Sequence, residues 1–209
     1  MSHKLKFVCA MFAVVAGLFV FVGTLVHALW YAPEDAPFSL PVLSIALPTL
    51  LTPHATSSPV VPASWPVRLQ VPSLGIDAHV QSVGIGKSGN MAVPTNYTDV
   101  AWYRSGTLPG HVGSAVFDGH VDNGFGLDGV FKHLGDITVG DQIVVITKGG
   151  TAYTYTVDAT QNYPYDAVPT GTIFHVSDAA RLTIITCEGA WISGKKTYDH
   201  RLVVYATLR

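Results

Sequence analysis

The 209 residues suffice for one globular domain with appendages. Charged residues make up only 12% and the formal net charge is −2, so no clustered Lys and Arg surface is available for nucleic acid.

The chain opens with an uncharged apolar run, "FVCAMFAVVAGLFVFVGTLVHALWY", from Phe7 to Tyr31. About 20 such residues span a bilayer as a helix, which predicts a transmembrane signal anchor over 7–30. A cleaved signal peptide is the alternative, with "VHA" at Val26–Ala28 as its cleavage site, although its apolar core is ordinarily shorter than this run. Lys4 and Lys6 precede the run, Glu34 and Asp35 follow it, and the next basic residue is Arg68. The positive-inside rule then places residues 1–6 in the cytoplasm and everything after the span outside.

Residues 31–64 form a Pro-rich stalk with Pro33, Pro37, Pro41, Pro48, Pro53, Pro59 and Pro62, a spacing that forbids a regular helix. Its part from Phe38 to Leu51 is apolar enough to lie on the membrane surface or to pack on the folded domain. From residue 65 the texture changes to short alternating runs punctuated by glycine, the pattern of an all-β domain over 65–209. Strands are predicted at 67–71, 78–83, 114–120, 142–148, 152–160, 181–187 and 201–208, with "KGG" at 148–150 as a hairpin turn. One short helix is expected around 127–137, and seven or eight strands in this length suggest a closed barrel or a sandwich.

The chain has two cysteines. Cys9 lies in the apolar span and reads as a small apolar residue. Cys187 is then the only thiol beyond the membrane, with no partner in its own domain for the disulfide usual there. It ends the apolar strand "RLTIITC" and precedes "EGAWISGKKTYDH", which reads as an exposed loop. That position suits a reactive thiol, held by the strand and open to substrate. His120 in "FDGHVDN" also ends a strand, where an imidazole can help generate thiolate and protonate a leaving amine. Asp122 either orients that ring or caps the loop. Arg201 opens the last strand and comes toward Cys187 if 181–187 and 201–208 are neighbours, where its guanidinium can donate to substrate or to a developing oxyanion. His120, Asp122 and Cys187 are poor as a zinc set, which ordinarily needs four ligands at close paired spacings, and no metal or cofactor is expected. Glu188, if close to the sulfur, raises the thiol pKa by its charge.

"ITC" ending a strand, "GHVD" ending an earlier one and an arginine opening the last resemble the sortase family, the Cys transpeptidases of the bacterial surface. "VRLQVPSLGIDAHVQSVGIGKSGNMAVP" (67–94), "AWYRSGTLPGHVGSAVFDGHVD" (101–122) and "GVFKHLGDITVGDQIVV" (129–145) extend the likeness over about 65–209. The resemblance implies an eight-stranded sortase β-barrel with one or two short helices behind an N-terminal transmembrane helix. It implies that Cys187 attacks an LPXTG-like sorting motif of secreted proteins, and that an amine of a peptidoglycan precursor or a pilin resolves the thioester. It further implies His120 as acid and base, Arg201 as holder of substrate or oxyanion, and Thr186 as a substrate-positioning neighbour. Val168, Ile173 and Phe174 become apolar walls of the motif groove, and "EDAPFSLP" (34–41) a candidate lid. The implied location is a single-pass membrane protein with its catalytic domain extracellular. A surface cysteine protease using water, and a non-catalytic stalked binding domain, are the competing readings.

Overall fold

The computed structural model describes residues 15–27, 61–123, 126–174 and 178–209. The predicted cytoplasmic segment, Cys9, the ends of the membrane span, the stalk up to residue 60 and the candidate lid lie outside the described residues. Residues 15–27 form helix α1. Among the described residues, no helix is long and apolar enough to cross a membrane.

Eight strands follow: β1 (Pro66–Val71), β2 (Ile76–Val83), β3 (Val100–Tyr103), β4 (Gly113–Gly119), β5 (Gln142–Thr147), β6 (Ala152–Pro164), β7 (Ala180–Ile192) and β8 (Thr197–Leu208). A short helix, α2 (Thr170–Phe174), precedes β7. The strands close into a barrel in the order β1-β2-β3-β4-β7-β8-β6-β5, with β5 returning to β1. Two neighbour pairs, β2–β3 and β4–β7, are parallel; the others are antiparallel.

Period-two alternation sorts the side chains. Leu69 and Val71 of β1, Trp102 of β3, Ala115 and Phe117 of β4, and Ile143 and Val145 of β5 point inward. So do Tyr155 and Val157 of β6, Leu182 and Ile184 of β7, and Leu202, Val204 and Ala206 of β8. Each large aliphatic or aromatic side chain so buried contributes roughly 1.5–3 kcal/mol.

Three local expectations are corrected. The segment 127–137 is not an α-helix but a run of turns with one 3-10 turn at Leu134–Asp136. Its N–H groups are taken by distant carbonyls: Gly129 donates to Val121, Val130 to Tyr97 and Phe131 to His120. Those bonds draw the segment onto the end of β4 so closely that a Cβ on Gly129 would lie 2.3 Å from the His120 carbonyl oxygen. The expected loop 188–200 is mostly strand, because β7 runs on to Ile192 and β8 begins at Thr197. The predicted strands omitted β3, whose four residues are too few to show a period.

Candidate active site

The alternation that fills the barrel also builds an outer face. On β4, Val116 and Asp118 point outward, and His120 is the next position of that parity. On β7 these positions are Ile185 and Cys187, and on β8 they are Arg201 and Val203. In the parallel β4–β7 pair, Asp118 lies beside Ile185 and Gly119 beside Thr186, so His120 and Cys187 stand together at the next step. In the antiparallel β7–β8 pair, Cys187 lies directly opposite Arg201. Neighbouring strands are about 4.8 Å apart, so the row His120–Cys187–Arg201 brings base, thiol and guanidinium within side-chain reach.

The end of β4 is pinned to the middle of β7. The Thr186 hydroxyl donates to the Gly119 carbonyl at 2.8 Å, and Thr186 is 1% exposed. Thr186 therefore does not face the groove; its parity turns it inward, where it aligns the residues before His120 and Cys187. One residue beyond Cys187, after the Glu188–His200 pair, Gly189 and Ala190 together oppose Asp199 in a bulge. Gly189 adopts φ 86°, and a Cβ there would meet Asp199 Oδ1 at 2.1 Å. The Ala190 N–H donates to the same oxygen at 2.7 Å.

His120 Nε2 lies 3.1 Å from the Pro94 carbonyl. A carbonyl only accepts, so Nε2 carries the proton and Nδ1 keeps the lone pair. The Tyr97 ring packs against the imidazole with centroids 4.9 Å apart. Burial holds His120 below the usual imidazole range, partly offset by the Pro94 hydrogen bond and the Asp122 charge. Cys187 is a half-buried free thiol. Burial pushes it up, Arg201 pulls it down, and Asp118 and Asp122 push it further up. The resting pair is therefore neutral thiol and neutral imidazole, and thiolate forms as the proton moves to His120.

Arg201 is anchored within its own hairpin. One terminal nitrogen donates to the Tyr198 carbonyl at 3.1 Å and the His200 carbonyl at 2.8 Å, and the other donates to Thr197 Oγ1 at 2.8 Å. Two of the five N–H groups remain unspent among the described residues. Asp122 accepts a hydrogen bond from the Tyr198 hydroxyl. Burial, with that carboxylate, pushes the Tyr198 phenol up to about 12, so it stays a donor.

The three apolar wall candidates lie on the same outer face, beyond the catalytic row. Ile173 of α2 is 0% exposed and packs on Val116 and Val203, with Val168 and Phe174 half-buried around it. Ile173 thus closes a satellite core and does not line an open groove. Asp118 belongs to the site as well: a carboxylate two residues before His120 in an otherwise apolar strand shares its face, a signal already present in the sequence. Tyr97 and Tyr198 become relevant only through contacts made across loops.

Comparison with known proteins covers the barrel. No curated protein matches the chain in sequence. Solved structures similar in fold include a lid mutant of sortase A from Corynebacterium diphtheriae, at 22% identity and TM-score 0.54, covering 69% of this chain and 70% of that one. The sortase C1 of GBS Pilus Island 1 is 21% identical, with TM-score 0.53 over 68% of this chain, and this chain spans 63% of its length. Sortase C-1 from Actinomyces oris is 20% identical, with TM-score 0.52 over 68% of this chain and 70% of that one. The Sortase domain family model matches residues 69–209, from within β1 to the C-terminus, and the chain belongs to the sortase family.

Proposed function

We propose that the protein is a membrane-anchored cysteine transpeptidase acting on LPXTG-like sorting signals of secreted proteins. The observation that carries this reading is the single outward row of His120, at the end of β4, with Cys187 and Arg201 paired across β7 and β8. In the acylation half, the Cys187 sulfur bonds to the carbonyl carbon of the motif threonine while His120 Nδ1 takes the thiol proton. The unspent N–H groups of Arg201 stabilise the oxyanion. The C–N bond breaks, His120 returns the proton to the leaving amine, and a thioester remains on Cys187. An amine then attacks the thioester and gives its proton to His120, and the sulfur leaves and is reprotonated. The amine is that of a peptidoglycan precursor or a pilin lysine, in keeping with a fold shared by sortase A and pilus-island sortase C1 structures.

Anchoring by residues 7–30, with the catalytic domain outside the cell, is supported by the charge asymmetry around the span and by exposed Leu18, Phe19, Val20 and Phe21 on α1. Protease added to intact cells should cut the domain and spare the N-terminus. The activity is tested with a panel of sorting peptides, with and without an added amine, trapping the thioester by mass spectrometry. Wild type should form the thioester and an amide product, and Cys187→Ala neither. Cleavage by the Ala variant would sink the mechanism, and hydrolysis unaffected by amine would make the protein a protease.

A further inference from the structure

The open face beside the nucleophile holds a carboxyl group that the transfer steps do not use. Asp118 lies two residues before His120 on β4, with the same outward parity. Its row runs from Ala101 on β3 through Asp118 to Ile185 on β7 and Val203 on β8. One row further from the nucleophile, Val116 and Thr183 are 0% and 2% exposed, and Ile173 packs over Val116. Asp118 and Ile185 are only half-buried. They are therefore the last open floor between the catalytic row and α2.

No described residue donates a hydrogen bond to the Asp118 carboxylate; the one charge that favours its ionisation is Arg201. Arg201 spends three of its N–H groups on Tyr198, His200 and Thr197 and donates none to Asp118. Partial burial without a protein donor makes ionisation costly and pushes the acid up to about 7. A ligand that supplies the donor removes that cost. Rows on a strand are about 7 Å apart, so the donor belongs one or two residues from the carbonyl held at Cys187.

We propose that Asp118 is a specificity-determining residue, selecting acyl-donor peptides with a cationic side chain one or two residues from the residue that Cys187 acylates. This rests on the transpeptidase reading and names part of its substrate. The other ionisable groups on this face are His120 and Asp122 just beyond β4, Cys187 on β7, Arg201 and Tyr205 on β8, Tyr163 on β6 and Tyr103 on β3; α2 contributes none. Two competing peptides meet the same groups, so their effects on the chemical step cancel in a ratio.

The test is competition between peptides differing only in Lys or Leu at that place, scored as thioester by mass spectrometry at pH 6 and pH 8. Wild type should favour Lys at least about tenfold at pH 8 and severalfold less at pH 6, as Asp118 takes up its proton. Asp118→Leu should abolish or invert the preference at both pH values, and Asp118→Asn should remove its pH dependence. Equal ratios in wild type and both variants would overturn the assignment while leaving the transpeptidase reading intact. Absence of thioester from every peptide would overturn that reading and this one with it.

Discussion

Thr186→Val is the sharpest probe of how the barrel aligns its nucleophile. The change keeps the shape of the side chain and removes the donor that meets the Gly119 carbonyl at 2.8 Å. Thr186 is 1% exposed, so water cannot replace it. Losing a buried hydrogen bond while leaving its acceptor in place costs about 1–3 kcal/mol. For a domain of this size that is a fall in Tm of roughly 3–10 °C. The bond joins the residue before His120 to the residue before Cys187, so alignment should suffer beyond stability. We expect kcat/KM for thioester formation to fall at least about tenfold at a temperature where the variant is fully folded. Thr186→Ser, which keeps the hydroxyl, should retain activity within about threefold. Calorimetry and peptide acylation measure the two effects. A Thr186→Val enzyme with wild-type kcat/KM would refute the idea that this bond sets the geometry of the pair.

Burial holds His120 down and pushes Cys187 up, so the one-proton form of the pair should persist over a wide pH range. The kcat/KM profile should have its acid limb below the ordinary imidazole pKa of about 6.5 and its alkaline limb above the ordinary thiol value; an acid limb above 6.5 contradicts this. Gly189→Ala forces a side chain into the left-handed region and against Asp199 Oδ1, and should cost at least about 1–2 kcal/mol by urea denaturation. It should also lower acylation, because the bulge begins two residues after Cys187; unchanged stability counts against the strain argument. Asp118 titrates near 4 when unfolded and at about 7 when folded, so the folded state holds the extra proton between those values. Stability should therefore drop as pH rises through this window, by at most about 4 kcal/mol. Asp118→Asn should gain nothing near pH 4 and most near pH 8, and a gain that grew on acidification would reverse the assignment.

The strands were legible to different degrees. The alternations at 67–71, 142–148, 152–160, 181–187 and 201–208 declare their inward faces, and each matches an observed strand to within a few residues at most ends. β3 was not legible, because four residues carry no period; it is defined by its neighbours β2 and β4. The helical pattern at 127–137 misled because a local preference was overruled by three long-range hydrogen bonds to Tyr97, His120 and Val121. The hairpin beyond Cys187 looked like a loop because Gly189 and the turn at 193–196 interrupt the alternation. One turn of helix at Thr170–Phe174 is too short for any helical period to show.

The sequence alone determined that the domain is all-β, that Cys187 is its only thiol, and that His120 ends a strand. These follow from the chemistry and two-residue period of short segments, which need no knowledge of the rest of the chain. Only the tertiary structure decided that β4 runs parallel to β7 and that Cys187 pairs with Arg201. It also decided that Thr186 turns inward, that Ile173 seals a satellite core, and that Asp118 shares the open floor. The reason is register. A shift of one residue between β4 and β7 would break the row of His120 and Cys187, and nothing local to either strand fixes that register. It is set by packing of the inward side chains of all eight strands at once, so the site appears only when the barrel closes.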